Sequence, residues 1–121
     1  MKYALLIYED EAAYGSDNSP AMRAMVDAHE AFYAANAQAI TGGAGLAGTD
    51  SATTVRTRGG ERTLHDGPFA EAKEQLGGIY FVEADDLDAA LALARRIPLH
   101  GDGAIEVRPL LPMQGEAHGR A

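Results

Sequence analysis

The segment Lys2-Tyr3-Ala4-Leu5-Leu6-Ile7-Tyr8 reads as a β-strand with two apolar faces. Successive side chains of a strand point to opposite sides, so Tyr3, Leu5 and Ile7 share one face and Ala4, Leu6 and Tyr8 the other. Gly78-Ile79-Tyr80-Phe81-Val82-Glu83 repeats the pattern. Strands of this kind need cover on both sides of their sheet.

The rest of the chain supplies elements for that cover. Glu9–Ser19 is polar and reads as a loop. Ser19-Pro20 then reads as an N-cap followed by proline at the first helical position. Met22, Met25, Val26, His29, Phe32 and Tyr33 recur at three- and four-residue steps, which predicts an amphipathic helix ending near Asn36. Ala39–Ala47 is glycine-rich and reads as an irregular strand, since glycine inside a strand marks a bulge or a close backbone approach.

Gly59-Gly60 separates two extended runs and predicts a two-residue hairpin turn. Its register sets Arg58 opposite Glu61, Val55 opposite Leu64, and Thr53 opposite Asp66. Asp85 or Asp86 caps a second helix with the stripe Leu87, Ala90, Leu91 and Ala94, which Ile97-Pro98 ends. Ala104–Leu110 alternates Ile105 and Val107 against Glu106 and Arg108, a half-buried strand.

The order is the βαββαβ plan of a ferredoxin-like α+β domain with an inserted hairpin. With both helices on one sheet face, the opposite face exposes the second apolar sides of the two central strands. Two such sheets packed face to face make a homodimer; loops or the tail are the alternative cover. The domain is expected over residues 1–112, with 113–121 a flexible C-terminal tail.

Composition narrows the function classes. The chain of 121 residues fits one domain, and its 46% hydrophobic share argues against disorder. No cysteine is present, which excludes disulfides, thiolate metal sites and a cysteine nucleophile. The net charge of −8 opposes binding to nucleic acid or an anionic membrane. No apolar run reaches the roughly 18 residues of a membrane span, and the start lacks a signal peptide, so a cytoplasmic location is expected. No metal-ligand spacing and no nucleotide fingerprint occur, so no metal or cofactor is expected.

Asp66-Gly67-Pro68-Phe69-Ala70-Glu71-Ala72-Lys73-Glu74-Gln75-Leu76-Gly77-Gly78 is more elaborate than a chain reversal requires. Together with Met1–Tyr8, Ala28-His29-Glu30-Ala31-Phe32, Ala52-Thr53-Thr54-Val55-Arg56, Asp86-Leu87-Asp88-Ala89-Ala90 and Ile105-Glu106-Val107-Arg108-Pro109, it resembles the YCII-related, or DGPF-domain, family. The resemblance implies a dimeric ferredoxin-like α/β barrel related to small isomerases and monooxygenases. It also implies a His–Asp pair in the cleft, at the positions of His29 and Asp66, and an association with alternative sigma factors. The glycine-rich Thr41–Gly48 segment departs from the family pattern, which bears on the shape of the cleft.

His29 sits on the helix stripe and titrates in the range that proton transfer needs; a core histidine bonded to backbone is the other reading. Asp66 ends a strand before Gly67-Pro68, where it either stabilises the turn or orients His29 across a cleft. Tyr8 and Glu9 end the first strand and are candidates to line the cleft, although packing also explains Tyr8. Lys73 and Glu74 are candidates to bind substrate, Lys73 through an anionic group, with a solvated ion pair as the alternative. The residues thus point to a cofactor-independent acid/base enzyme, isomerase- or lyase-like, with a small-molecule cleft. The rivals are a metabolite-binding or sigma-factor-associated regulatory module and a purely structural dimer.

Overall fold

The first strand, β1 (Lys2–Glu9), lies between two antiparallel neighbours in the computed structural model, which describes residues 1–16 and 18–112. The long helix α1 (Pro20–Ala35) follows, then β2 (Ile40–Gly45) and the hairpin strands β3 (Thr53–Arg58) and β4 (Glu61–Asp66). The chain continues through β5 (Gln75–Glu83), α2 (Leu87–Ala94) and β6 (Gly103–Pro109). The main sheet runs β2-β5-β1-β6, and β3 pairs only with β4. With the hairpin set aside, this α+β arrangement of an antiparallel sheet and two helices is compatible with the ferredoxin-like plan. The expected tail, 113–121, lies outside the described residues.

Local chemistry sets the element ends. The Ser19 side chain accepts from the Met22 amide at 3.0 Å, with Pro20 opening α1 and Asn36 closing it. Asp86 caps α2 through the Ala89 amide at 2.9 Å. Gly59 and Gly60 take φ of 56° and 85°, the left-handed geometry of a two-residue hairpin turn. Arg58 pairs with Glu61, Val55 with Leu64 and Thr53 with Asp66, as the register requires.

One face of the sheet carries the core. Tyr3, Leu5 and Ile7 of β1 and Val82 of β5 pack with Phe32 of α1 and with Ala90, Leu93 and Ala94 of α2. Leu5 and Val82 are wholly buried, each worth about 1.5–3 kcal/mol relative to an exposed side chain. Both helices therefore cover the same face. The buried side of α2 is Ala90, Leu93 and Ala94; Leu87 is exposed and Leu91 half-buried, because the short helix turns Leu93 inward.

The stripe of α1 behaves differently from the expected core face. Phe32 alone is buried, while Val26 and Tyr33 are about half exposed at 49% and 51%. The reason lies beneath the helix. Gly43 and Gly45 of β2 pair with Tyr80 and Gly78 of β5 in the sheet. Directly paired residues share a face, so glycine replaces side chains where α1 would otherwise rest. The first turns of α1 consequently span a hollow.

Candidate functional site

That hollow is a cavity of about 1170 Å³ between α1, the glycine-rich end of β2 and the loop after β4. It exceeds the roughly 300–1,000 Å³ of ordinary ligand pockets. A Cβ on Gly43 would come within 2.6 Å of the Ile79 carbonyl, so that position requires glycine, whereas Gly45 meets nothing within 4 Å. The strands also part from regular pairing here. Ile7 pairs with Gly78 and Tyr8 with Leu76, which leaves Gly77 as the extra residue of a bulge.

Two anchors hold the walls. The carboxylate of Glu11, in the 3-10 turn Glu11–Tyr14, accepts from the Thr49 hydroxyl and from its amide at 2.9 Å. This ties the segment beyond β2 to the end of β1. On the other side, the Gly67 amide donates to the Ala52 carbonyl at 2.8 Å and the Thr54 hydroxyl to the Gly67 carbonyl at 2.7 Å. The hairpin base thereby fixes the start of the loop between β4 and β5, which is shorter than the sequence suggested because β5 already begins at Gln75.

His29 lines the cavity from α1, with Nδ1 2.8 Å from the Tyr80 hydroxyl. Tyr80 also packs against Phe32, with ring centroids 5.2 Å apart. Desolvation lowers the His29 pKa from its usual 6.5, and the charge of Glu9 works in the opposite direction. The imidazole is therefore neutral at physiological pH. Burial raises the Tyr80 phenol, which stays protonated.

Glu9, at the end of β1, also lines the cavity. It is 8% exposed, and its Oε2 accepts from the Tyr14 hydroxyl at 2.7 Å and the His100 amide at 2.8 Å. Burial, followed by the bond to Glu9, pushes the Tyr14 phenol far upward. The ring of His100 stacks on Tyr14 at 5.0 Å.

Asp66 and His29 line the same cavity, but no direct hydrogen bond joins them among the described residues, and Asp66 is exposed. Tyr8 lies elsewhere: its hydroxyl donates to Glu106 at 3.1 Å, and its position in β1 is one out of phase with Ile7 and Glu9. Lys73 and Glu74 are exposed and not among the cavity-lining residues. Sequence reading missed Tyr80 as a partner of His29. Its signal was available: Tyr80 alternates onto the face of Val82 beside Gly78, where space is left for a ring.

Among the described residues, no three His, Asp or Glu side chains are placed to hold a metal ion. No helix among them is long and apolar enough to cross a membrane. An uncharacterised protein of Rhizobium meliloti (strain 1021) is 37% identical over 115 residues, covering 91% of this chain and 92% of that protein. The YCII-related domain matches residues 1–114, and with that match the chain belongs to the YCII-related family.

Proposed function

We propose that the cavity binds a small molecule and moves a proton on it without a cofactor, with His29 as the acid/base group. The observation that carries this reading is the neutral, desolvated His29 facing the cavity with Nδ1 held by Tyr80. In the tautomer where Nδ1–H donates to the Tyr80 oxygen, Nε2 offers its lone pair to a substrate C–H. The abstracted proton then rests on Nε2 and returns to a different substrate atom, which makes the step an isomerisation. Glu9 is the carboxylate whose charge favours the imidazolium that forms; Asp66, on the cavity wall at the end of β4, faces it across the substrate rather than through a direct bond.

The test follows deuterium uptake from heavy water into a panel of small enolisable ketones by proton NMR. Exchange should be catalysed by the native chain and fall about 10²–10⁴-fold in His29→Gln. Asp66→Asn should lower it by a smaller factor. Binding of the panel without any catalysed exchange would replace this reading with the second, a metabolite-binding module. The exposure of Asp66 and its lack of a direct bond to His29 favour that alternative.

The assembly proposed for either reading is a homodimer through the sheet face opposite the helices. A cytoplasmic location goes with it, supported by the acidic, cysteine-free composition.

A further inference from the structure

The charges around the cavity are of one sign. Seven of its lining residues are Asp or Glu, and among the described ones none is Lys or Arg. Glu11 is spent on Thr49, but Glu30, Asp66 and Glu71 are exposed side chains at the margin. The apolar part of the lining includes Met22, Met25, Val26 and Leu46.

Glu9 adds a second, independent observation. Both of its hydrogen bonds fall on Oε2, from the Tyr14 hydroxyl and the His100 amide. Among the described residues Oε1 has no hydrogen-bond partner, and Glu9 lines the cavity. A buried carboxylate with an unpartnered oxygen on a cavity's lining is suited to an ammonium group. Tyr14, Tyr33 and Tyr80 lie around the same space, and aromatic faces attract cations.

We propose that the cavity takes a small molecule with an apolar body and a protonated amine, and discriminates against organic acids and phosphates of the same size. This rests on the small-molecule reading above and names its substrate class. An anionic ligand would enter past carboxylates and meet Glu9 with no fixed cation to offset it, and like charges set against each other suppress the wrong partner. A bare metal ion is the poorer fit, because the acidic groups are spread around the volume and no three converge among the described residues. Methionine side chains adapt to varied apolar shapes, which suits Met22 and Met25 to the body of such a ligand.

The experiment titrates hexylammonium, hexan-1-ol and hexanoate into the full chain, reading heat and the ring signals of His29 and Tyr80. Hexylammonium should bind about tenfold more tightly than hexanol, with hexanoate weaker than both. Glu9→Gln should remove most of that preference. The double variant Glu30→Gln, Glu71→Gln tests the same charge effect without touching the buried cluster, and should weaken hexylammonium alone. Hexanoate binding as well as hexylammonium, or a preference untouched by all these variants, would overturn the inference and leave the cavity reading standing. If none of the three probes moves the His29 or Tyr80 signals, the cavity reading itself fails and the inference falls with it.

Discussion

The Nδ1 of His29 sits 2.8 Å from the hydroxyl of Tyr80, a residue 51 positions away that β5 carries beneath α1. The bond fixes the imidazole from behind and leaves Nε2 free of any protein partner among the described residues. The phenol can accept from Nδ1–H or donate to a bare Nδ1, so the bond sets the ring's orientation, and the proposed mechanism requires the first of these tautomers.

Replacing Tyr80 with Phe therefore isolates the hydroxyl. The ring packing with Phe32 at 5.2 Å should survive, so the fold persists with a loss of about 1 kcal/mol in urea unfolding. Nitrogen-15 NMR of the imidazole should show one tautomer in the native chain and a mixture in Tyr80→Phe. An unchanged tautomer ratio would mean that the Tyr80 bond does not set the tautomer the mechanism requires.

The lowered pKa of His29 has a consequence for stability. In the unfolded chain the imidazole takes up a proton as pH falls through about 6.5, while in the folded chain it resists until lower pH. Above that pH both states are neutral and no penalty exists. Below it the unfolded state binds more protons, so stability falls as the solution is acidified. His29→Gln should flatten the fall below about pH 6.5, measured as urea midpoints. Parallel slopes for both proteins would contradict a desolvated His29.

The cavity floor offers a steric test. Gly45 shares a face with Gly78, and a Cβ there meets nothing within 4 Å, so Gly45→Ile should fold and fill the hollow. Hexanol binding should drop by about tenfold or more. Gly43→Ala instead drives a methyl to within 2.6 Å of the Ile79 carbonyl and should destabilise the chain by about 1–3 kcal/mol. Full binding by a folded Gly45→Ile would mean that ligands sit elsewhere.

Much of the scaffold was legible because it is written in local chemistry. The Ser19 and Asp86 caps and the Gly59-Gly60 turn each follow from a few adjacent residues, and the turn fixes the hairpin register. The site was less legible, since it is made of missing side chains. Gly43, Gly45 and Gly78 open the volume only when β2 and β5 pair, which no periodicity reveals. For the same reason the stripe from Met22 to His29 looked like a core face and turned out to border a cavity. Strand parity distinguishes Glu9, inside the cavity, from Tyr8, bonded to Glu106. His29 and Asp66 were found as cavity residues by resemblance, but the bond between His29 and Tyr80 needed the fold.

The last prediction concerns the sheet face away from the helices. Ala4 pairs with Phe81 and Leu6 with Ile79 on that side, and Phe81 is 38% exposed. An apolar sheet surface of this kind is unfavourable in water, and the proposed second copy, related by two-fold symmetry, would cover it with the same residues. Sedimentation at micromolar concentration should return about twice the 12.7 kDa chain mass. Phe81→Glu places a charge in the centre of that face and should return the single chain mass. Phe81 points away from Tyr80 by strand alternation, so the variant should keep the His29 signals of the native chain. A native chain that sediments as a monomer would leave this face to another partner, and the homodimer would be discarded.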